Sequence, residues 1–200
     1  FPTVNADIGT HASGSDDAFV TKFAAGGTSR LFSTYLGGFG ADQAWSVVVD
    51  SAGSAYVAGS TTSSLDFPVK NAVQATYGAG PYDEFLARYH PDGKPCLFAT
   101  YLGGSGTDQG WAVTLDGAGG IWVGGLSDST NFPSTNGLYT STGGSIDAVL
   151  TRERMSLPTA PKGFVENLQA VDSALVGWQD QTAGVDRHEG EKRVLPASAF

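Results

Sequence analysis

Tyr35-Leu36-Gly37-Gly38, followed by Asp42-Gln43-Ala44-Trp45-Ser46-Val47-Val48-Val49-Asp50-Ser51-Ala52-Gly53-Ser54-Ala55-Tyr56-Val57-Ala58-Gly59, is the stretch on which the fold turns, because the chain writes it twice. At an offset of 66 residues stand Tyr101-Leu102-Gly103-Gly104, Asp108-Gln109, Trp111, Asp116, Gly119 and Gly125. Phe1-Pro2, Phe67-Pro68 and Phe132-Pro133 mark three copies, as do Asp17, Asp83 and Asp147, with the last step shortened by one or two residues. Fixed spacing across so many positions defines a tandem array.

Each unit reads as strands. Ala44–Val49 and Gly110–Leu115 carry bulky apolar groups at alternate positions, the period of a strand with one buried face. Asp50-Ser51-Ala52-Gly53 and Asp116-Gly117-Ala118-Gly119 then supply turn chemistry, with Asp opening the turn and Gly free to take positive φ. A second strand follows at 54–59 and 120–125. A third recurs as Asp17–Phe23, Asp83–Tyr89 and Asp147–Glu153, and a fourth as Leu31–Leu36 and Leu97–Leu102. We call these positions A to D.

An all-β unit of four short antiparallel strands leaves apolar groups on both faces, such as Val47 on one and Val48 on the other. Stacking sheets face to face covers both, and radial stacking is the β-propeller solution. A β-solenoid is the competing geometry, but its coils run nearer about 20 residues. The expectation is an incomplete β-propeller. Its nine strands divide as C and D of one blade, four of the next, and A to C of a third. A ring needs at least about four blades of four strands, so these strands cannot close one. Phe1 falls inside a repeat, which points to upstream blades lost from this sequence rather than to a ring completed by another chain.

The runs Asp17–Phe23, Phe32–Gly38, Val49–Gly59 and Asp66-Phe67-Pro68 resemble the seven-bladed beta-propeller (SBBP) repeat, over roughly residues 1–153. That resemblance implies a bacterial secreted or cell-surface protein, from a family whose members mostly lack an assigned activity. Beyond Arg152 the Tyr-Leu-Gly-Gly strand is replaced by Met155-Ser156-Leu157-Pro158, so the propeller part is drawn as residues 1–154. Residues 155–162, with Pro158 and Pro161, read as an extended linker. Residues 163–200, with Leu168-Gln169-Ala170 and Trp178, resemble the opening strands of a fibronectin type III β-sandwich, truncated well short of its roughly 100 residues.

Composition narrows the function. The 200 residues carry 20 acidic against 11 basic side chains, net −9, which argues against nucleic-acid binding. No apolar run approaches the roughly 18 residues of a membrane span. The lone Cys96 excludes a disulfide framework and a cysteine-ligated zinc site. No signal peptide is visible at Phe1-Pro2-Thr3. No cofactor or metal is expected, because His11, His90 and His188 sit singly and the Asp50 and Asp116 turns lack the acids of a calcium loop.

No catalytic residues are assigned. Asp16-Asp17 and Asp83-Glu84 look like paired carboxylates, but neighbours on a strand point to opposite faces. Trp45, Trp111 and Trp122 are expected to pack between blades rather than to form a sugar platform. Topology puts the D–A loops (37–43, 103–109) and the long B–C loops (61–82, 127–146) on one face, where Asp42, Gln43, Asp108 and Gln109 are the ligand-face candidates. Their competing role is to cap the loops by binding backbone amides.

The favoured expectation is a non-enzymatic binding or display scaffold whose partner is an unknown protein or glycan, besides the remaining blades of the same propeller. The alternative is a propeller-based carbohydrate-active lyase or hydrolase with its site in the central channel. A purely structural spacer is a third reading.

Overall fold

The alternating apolar runs and the Asp-to-Gly turns form the antiparallel strands they predict. The computed structural model describes residues 1–135, 137, 145–155 and 168–175. Within these the strands are β1 (Ala18–Phe23), β2 (Arg30–Leu36), β3 (Asp42–Val49), β4 (Ala55–Thr61), β5 (Asp83–Tyr89), β6 (Cys96–Leu102), β7 (Asp108–Leu115), β8 (Gly120–Ser127), β9 (Asp147–Met155) and β10 (Leu168–Leu175). Among the described residues there is no helix, and hence none long and apolar enough to cross a membrane. The strands form one two-stranded sheet, β1-β2, and two four-stranded meanders, β3-β4-β5-β6 and β7-β8-β9-β10. All neighbouring strands run antiparallel, and the sheets are not closed into a ring.

Sheet stacking buries the apolar faces. Ala18, Val20, Phe32 and Leu36 of the first sheet share a core with Val57, Phe85, Ala87 and Tyr89 of the second. Tyr56, Ala58, Leu86, Phe98 and Leu102, on the opposite face of the second sheet, share another with Val113, Ile121 and Val123 of the third. The strand at position A lies across the preceding sheet, β7 touching β3, β4 and β5. This is blade-on-blade packing.

One strand differs from the sequence reading, which ended the third sheet after position C and assigned residues 163–200 to a separate module. Residues 168–175 form β10, which pairs with β9 through Leu168↔Met155 to Leu175↔Val149. The described strands therefore number ten, not nine. A backbone ladder needs no Tyr-Leu-Gly-Gly signature, so the missing motif did not remove the strand. Met155, the first residue of the expected 155–162 linker, instead ends β9, because its backbone continues the ladder to Leu168; residues 156–162 and the remainder of the fibronectin-like segment lie outside the described residues.

The B–C connections also build structure. Lys70 exchanges both backbone hydrogen bonds with Ala99 (2.9 and 2.8 Å), and the Tyr101 N–H donates to the Gln74 carbonyl (3.1 Å). Val4 and Ser33, with Ile8 and Tyr35, repeat the arrangement 66 residues earlier. Each outer strand, β2 and β6, thus carries a short extra rung that covers an otherwise unpaired edge. Asn5 and Asn71 follow the first residue of each rung with positive φ (47° and 48°), and each donates from its side-chain amide to the carbonyl of Leu31 or Leu97.

The hairpin turns are pinned from a distance. Asp50 accepts the Ser54 N–H (2.8 Å), while Asp116 accepts those of Ala118 (2.9 Å) and Gly120 (2.8 Å). Arg88 lies 3.7 Å from Asp50 and over the Tyr56 ring; Arg152 pairs with Asp116 and lies over the Trp122 ring. The Arg152 guanidinium holds the Asp116 carboxyl well below the usual carboxylate range. These repeated cations therefore strap position C to the A–B turn.

In β3 and β7 the ladder skips one residue, pairing Ala44 with Gly59 and Ser46 with Ala58, and in the copy Gly110 with Gly125 and Ala112 with Gly124. Trp45 and Trp111 are the skipped residues, each in a β-bulge. The bulge drives the preceding carbonyl against the partner strand. A Cβ on Gly125 would stand 1.8 Å from the Gln109 carbonyl oxygen, and one on Gly59 would stand 2.0 Å from that of Gln43. Gly125→Ala is expected to destabilise by roughly 2–3 kcal/mol through overpacking against backbone. Gly124→Ala, whose Cβ would meet only Leu150 Cδ1 at 3.9 Å, should stay within about 0.5 kcal/mol. Urea unfolding of the two variants side by side measures the difference.

Candidate functional site

The D–A and B–C loops do share one face, and hydrogen bonds interlock them. Asp42 opens β3, where its buried carboxylate accepts the Gly38 N–H (2.8 Å), the Ser63 hydroxyl (2.8 Å) and the Thr61 hydroxyl. Asp108 repeats this with the Gly104 N–H (2.7 Å), the Ser129 hydroxyl (2.7 Å) and the Ser127 hydroxyl. Around these pins, Asp66 accepts the Phe39 N–H (2.6 Å), Ser63 that of Gly40 (2.8 Å) and Thr62 that of Ala41 (2.7 Å). In the second copy Asn131 takes Ser105 (2.7 Å), Ser129 takes Gly106 (2.7 Å) and Asp128 takes Thr107. Loop amides that solvent would otherwise satisfy are held by side chains of the neighbouring loop.

Two of the four candidate residues thereby have a structural task. Asp42 and Asp108 are buried, and each engages three donors of its own chain. Burial pushes both carboxyls up, against the downward pull of those hydrogen bonds. Gln43 and Gln109 are partly exposed beside them, and Gln109 accepts the Trp111 indole N–H (3.3 Å). Sequence reasoning missed Thr61, Ser63, Asp66 and their copies Ser127, Ser129 and Asn131. The 66-residue offset extended to the polar residues after each B strand would have found the two Ser/Thr pairs.

The acidic pairs separate as the strand alternation requires. Asp83 accepts the Gly78 N–H (2.6 Å), whereas Glu84 lies against Gly110 of the next sheet, where a Cβ would come within 2.7 Å of Glu84 Cγ. Burial, reinforced by the Asp108 charge, pushes the Asp83 carboxyl up to about 7. Glu84 is driven well above its ordinary value by complete burial and by the charges of Asp108 and Glu153. Burial alone pushes Glu153 up to about 7. Both oxygens of Glu84 and of Glu153 lack a hydrogen-bond partner.

The tryptophans are not where the sequence placed them. Trp45 is 52% exposed and Trp111 55% exposed, so neither is packed between sheets. The bulge is the reason: an extra residue breaks the two-residue period and turns the indole off the ladder. The Trp45 N–H donates to Ser60 Oγ (3.2 Å), which tethers the ring by its edge and leaves apolar faces open. Trp122 lies under Arg152.

Other titratable groups are confined to local roles. Cys96 is buried, its thiol pushed up to about 11 by burial, and its sulfur donates to the Phe98 carbonyl (3.2 Å). His90 accepts the Asp92 N–H (3.3 Å) within its turn. Among the described residues no group of three or more His, Cys, Asp or Glu side chains is placed to hold a metal ion.

With this geometry in view, comparison with known families gives two matches. Residues 31–66 and 97–133 match the SBBP beta-propeller repeat. Each SBBP segment spans a D strand, its D–A loop, strands A and B of the next sheet and the start of the B–C loop. The unit of sequence likeness therefore straddles two sheets and contains both halves of the interlocked loop face. Comparison with curated proteins gives no match.

Proposed function

We infer that this chain is a sector of a β-propeller acting as a non-enzymatic binding or display scaffold, with the D–A and B–C loops as its presented face. The supporting observation is the interlocking of those loops: amides of residues 38–41 and 104–107 are held by side chains 4 to 27 residues away. A loop surface ordered in this way is preorganised, which reduces the ordering cost of binding. Export to a bacterial cell surface, and seven blades in all, belong to this reading through the SBBP resemblance.

The two half-exposed indoles favour a glycan as ligand, since a tethered indole offers a flat apolar face to the C–H face of a pyranose. Soluble β-linked hexasaccharides of glucose and of N-acetylglucosamine, titrated against the intrinsic tryptophan emission, test this. A saturable change that Trp111→Ala diminishes at least about fivefold, roughly 1 kcal/mol of binding, is the expected result. No saturable change with either sugar removes the glycan ligand. Binding of neither a glycan nor a protein panel, with D–A loop substitutions inert, would leave only the spacer reading.

A further inference from the structure

We propose that Phe39 and Leu65 form a second contact surface on the loop face, one that takes a protein segment in which apolar side chains stand beside Lys or Arg. The proposal rests on the reading of that face as a presented surface, and it uses none of the indoles.

The two side chains project from one tied piece of backbone. Phe39, in the D–A loop, is 71% exposed, and Leu65, in the B–C loop, 98%. Asp66 joins the loops by accepting the Phe39 N–H (2.6 Å). The amides on either side are held as well, Gly38 by Asp42 (2.8 Å), Gly40 by Ser63 (2.8 Å) and Ala41 by Thr62 (2.7 Å). Residues ahead of β1 pack on the same loop: Gly14 lies so near Gly40 that a Cβ on it would overlap the Gly40 carbonyl oxygen. Chain therefore flanks the D–A loop on the Gly14 side and on the Asp66 side, and the Phe39 ring still stands clear of both.

The second copy shows that the fold does not demand this pair. Ser105 stands where Phe39 does, and its N–H goes to Asn131 (2.7 Å), with Gly106 held by Ser129 (2.7 Å) and Thr107 by Asp128. The passage out of strand B is one residue shorter there, Ser129-Thr130-Asn131 against Ser63-Ser64-Leu65-Asp66, so Leu65 has no counterpart. The same pins form with one apolar group replaced by a polar one and the other absent. Apolar groups that stand together in water without serving the fold mark a contact surface, and rigid backbone lowers the ordering cost of using it.

Charge selects the occupant. Residues 9–17, 37–43 and 61–69, which build this part of the face, contain Asp16, Asp17, Asp42 and Asp66 but neither Lys nor Arg. Their one imidazole, His11, lies 3.8 Å from Asp17. The Asp17 side chain and Asp42 are buried, which leaves Asp16 exposed and Asp66 half-buried beside the apolar pair. Apolar prongs rimmed by carboxylates fit a partner whose apolar surface is rimmed by cations. The same rim, on a chain of net charge −9, repels a second copy and an anionic lipid surface.

Random dodecapeptides displayed on phage, selected in parallel on the full chain and on its Phe39→Ser, Leu65→Ser double variant, test this. Both substitutions keep the backbone pins and the net charge, and the variant should melt as the parent does. The expected result is a set of peptides enriched on the parent alone that combine apolar residues with Lys or Arg. A synthetic peptide from that set should bind the parent at least about tenfold more tightly than the double variant. Asp66→Asn, which keeps an oxygen for the Phe39 amide, should weaken it about twofold to fivefold. Trp111→Ala should leave peptide affinity unchanged, so the peptide surface and the glycan surface hold or fail separately. Peptides bound equally by parent and double variant, or enriched peptides without cations, would overturn the proposal and leave the scaffold reading standing. A selection that enriches nothing overturns it as well, and, joined to absent glycan binding, removes the scaffold reading too. Phosphatidylcholine vesicles, or a second copy of the chain, bound by the parent and not by the double variant would make lipid or self-association the use of this surface and equally overturn the proposal.

Discussion

Replacing Asp108 by alanine is expected to destabilise the chain by roughly 3–5 kcal/mol, the largest single-residue loss we anticipate. Three donors converge on that carboxylate: the Gly104 N–H and the hydroxyls of Ser127 and Ser129. All the residues concerned are buried, so truncation strands donors that solvent does not readily replace. Asp108→Asn keeps an oxygen for Gly104 and Ser129 and forfeits only the Ser127 side, so its cost should be roughly 1–2 kcal/mol. Urea melts rank the two, and amide exchange at Gly104, Ser105 and Gly106 shows whether the loop loosens. A wild-type melt for Asp108→Ala would refute the pin.

The second large effect is on pH dependence. Glu84, Asp83 and Glu153 all have carboxyls raised by burial, with Asp83 and Glu153 near 7. A raised carboxyl keeps its proton in the folded chain after the unfolded chain has released it. Stability is therefore fully present below about pH 4, and falls as pH rises towards the folded values. Asp42 and Asp108 act in the same direction, whereas the lowered Asp116 gives up stability only on the acid side of that window. Glu84 is the sharpest contributor, since its completely buried and unpartnered carboxyl also faces the charges of Asp108 and Glu153, whereas burial alone acts on Glu153. Glu84→Gln cannot ionise, and should shrink the stability lost between pH 5 and pH 8, each pH unit over which the folded carboxyl keeps a proton that the unfolded chain has released being worth about 1.4 kcal/mol. Unfolding curves of both proteins at the two pH values give this double difference. An unchanged difference would show that Glu84 finds a partner or solvent.

How much of this was legible depends on the range of the interaction. The 66-residue period, the strand alternation and the Asp-to-Gly turns are local patterns, and all reappear as strands and hairpins. The common face of the D–A and B–C loops was also deducible, because antiparallel connectivity alone determines which end of a strand a loop occupies. The candidate pair Asp42 and Asp108 was located by repetition, but whether a carboxylate faces a ligand or the loop's own amides is decided by donors about 20 residues away, at Thr61, Ser63, Ser127 and Ser129. The tryptophans misled for a geometric reason. Counting by twos through Trp45 presumes an unbroken ladder, and the bulge that breaks it depends on Gly59 across the strand pair. β10 was missed because a strand at position D can be held by backbone pairing to β9 without the sequence signature its counterparts share.

By itself the sequence determined the repeat, its phase and its antiparallel strands, since alternation and turn chemistry act over a few residues and need no knowledge of neighbours. Only the tertiary structure decided which repeated side chains are covered. Val47 and Val113 are one residue type at one strand position, yet one faces the open and the other a packed sheet. Glu84 holds an acid in a place that Ala18 fills in the earlier copy, with Gly110 leaving it room. Burial is a property of the sheet stacked in front, and no local pattern encodes which sheet that is.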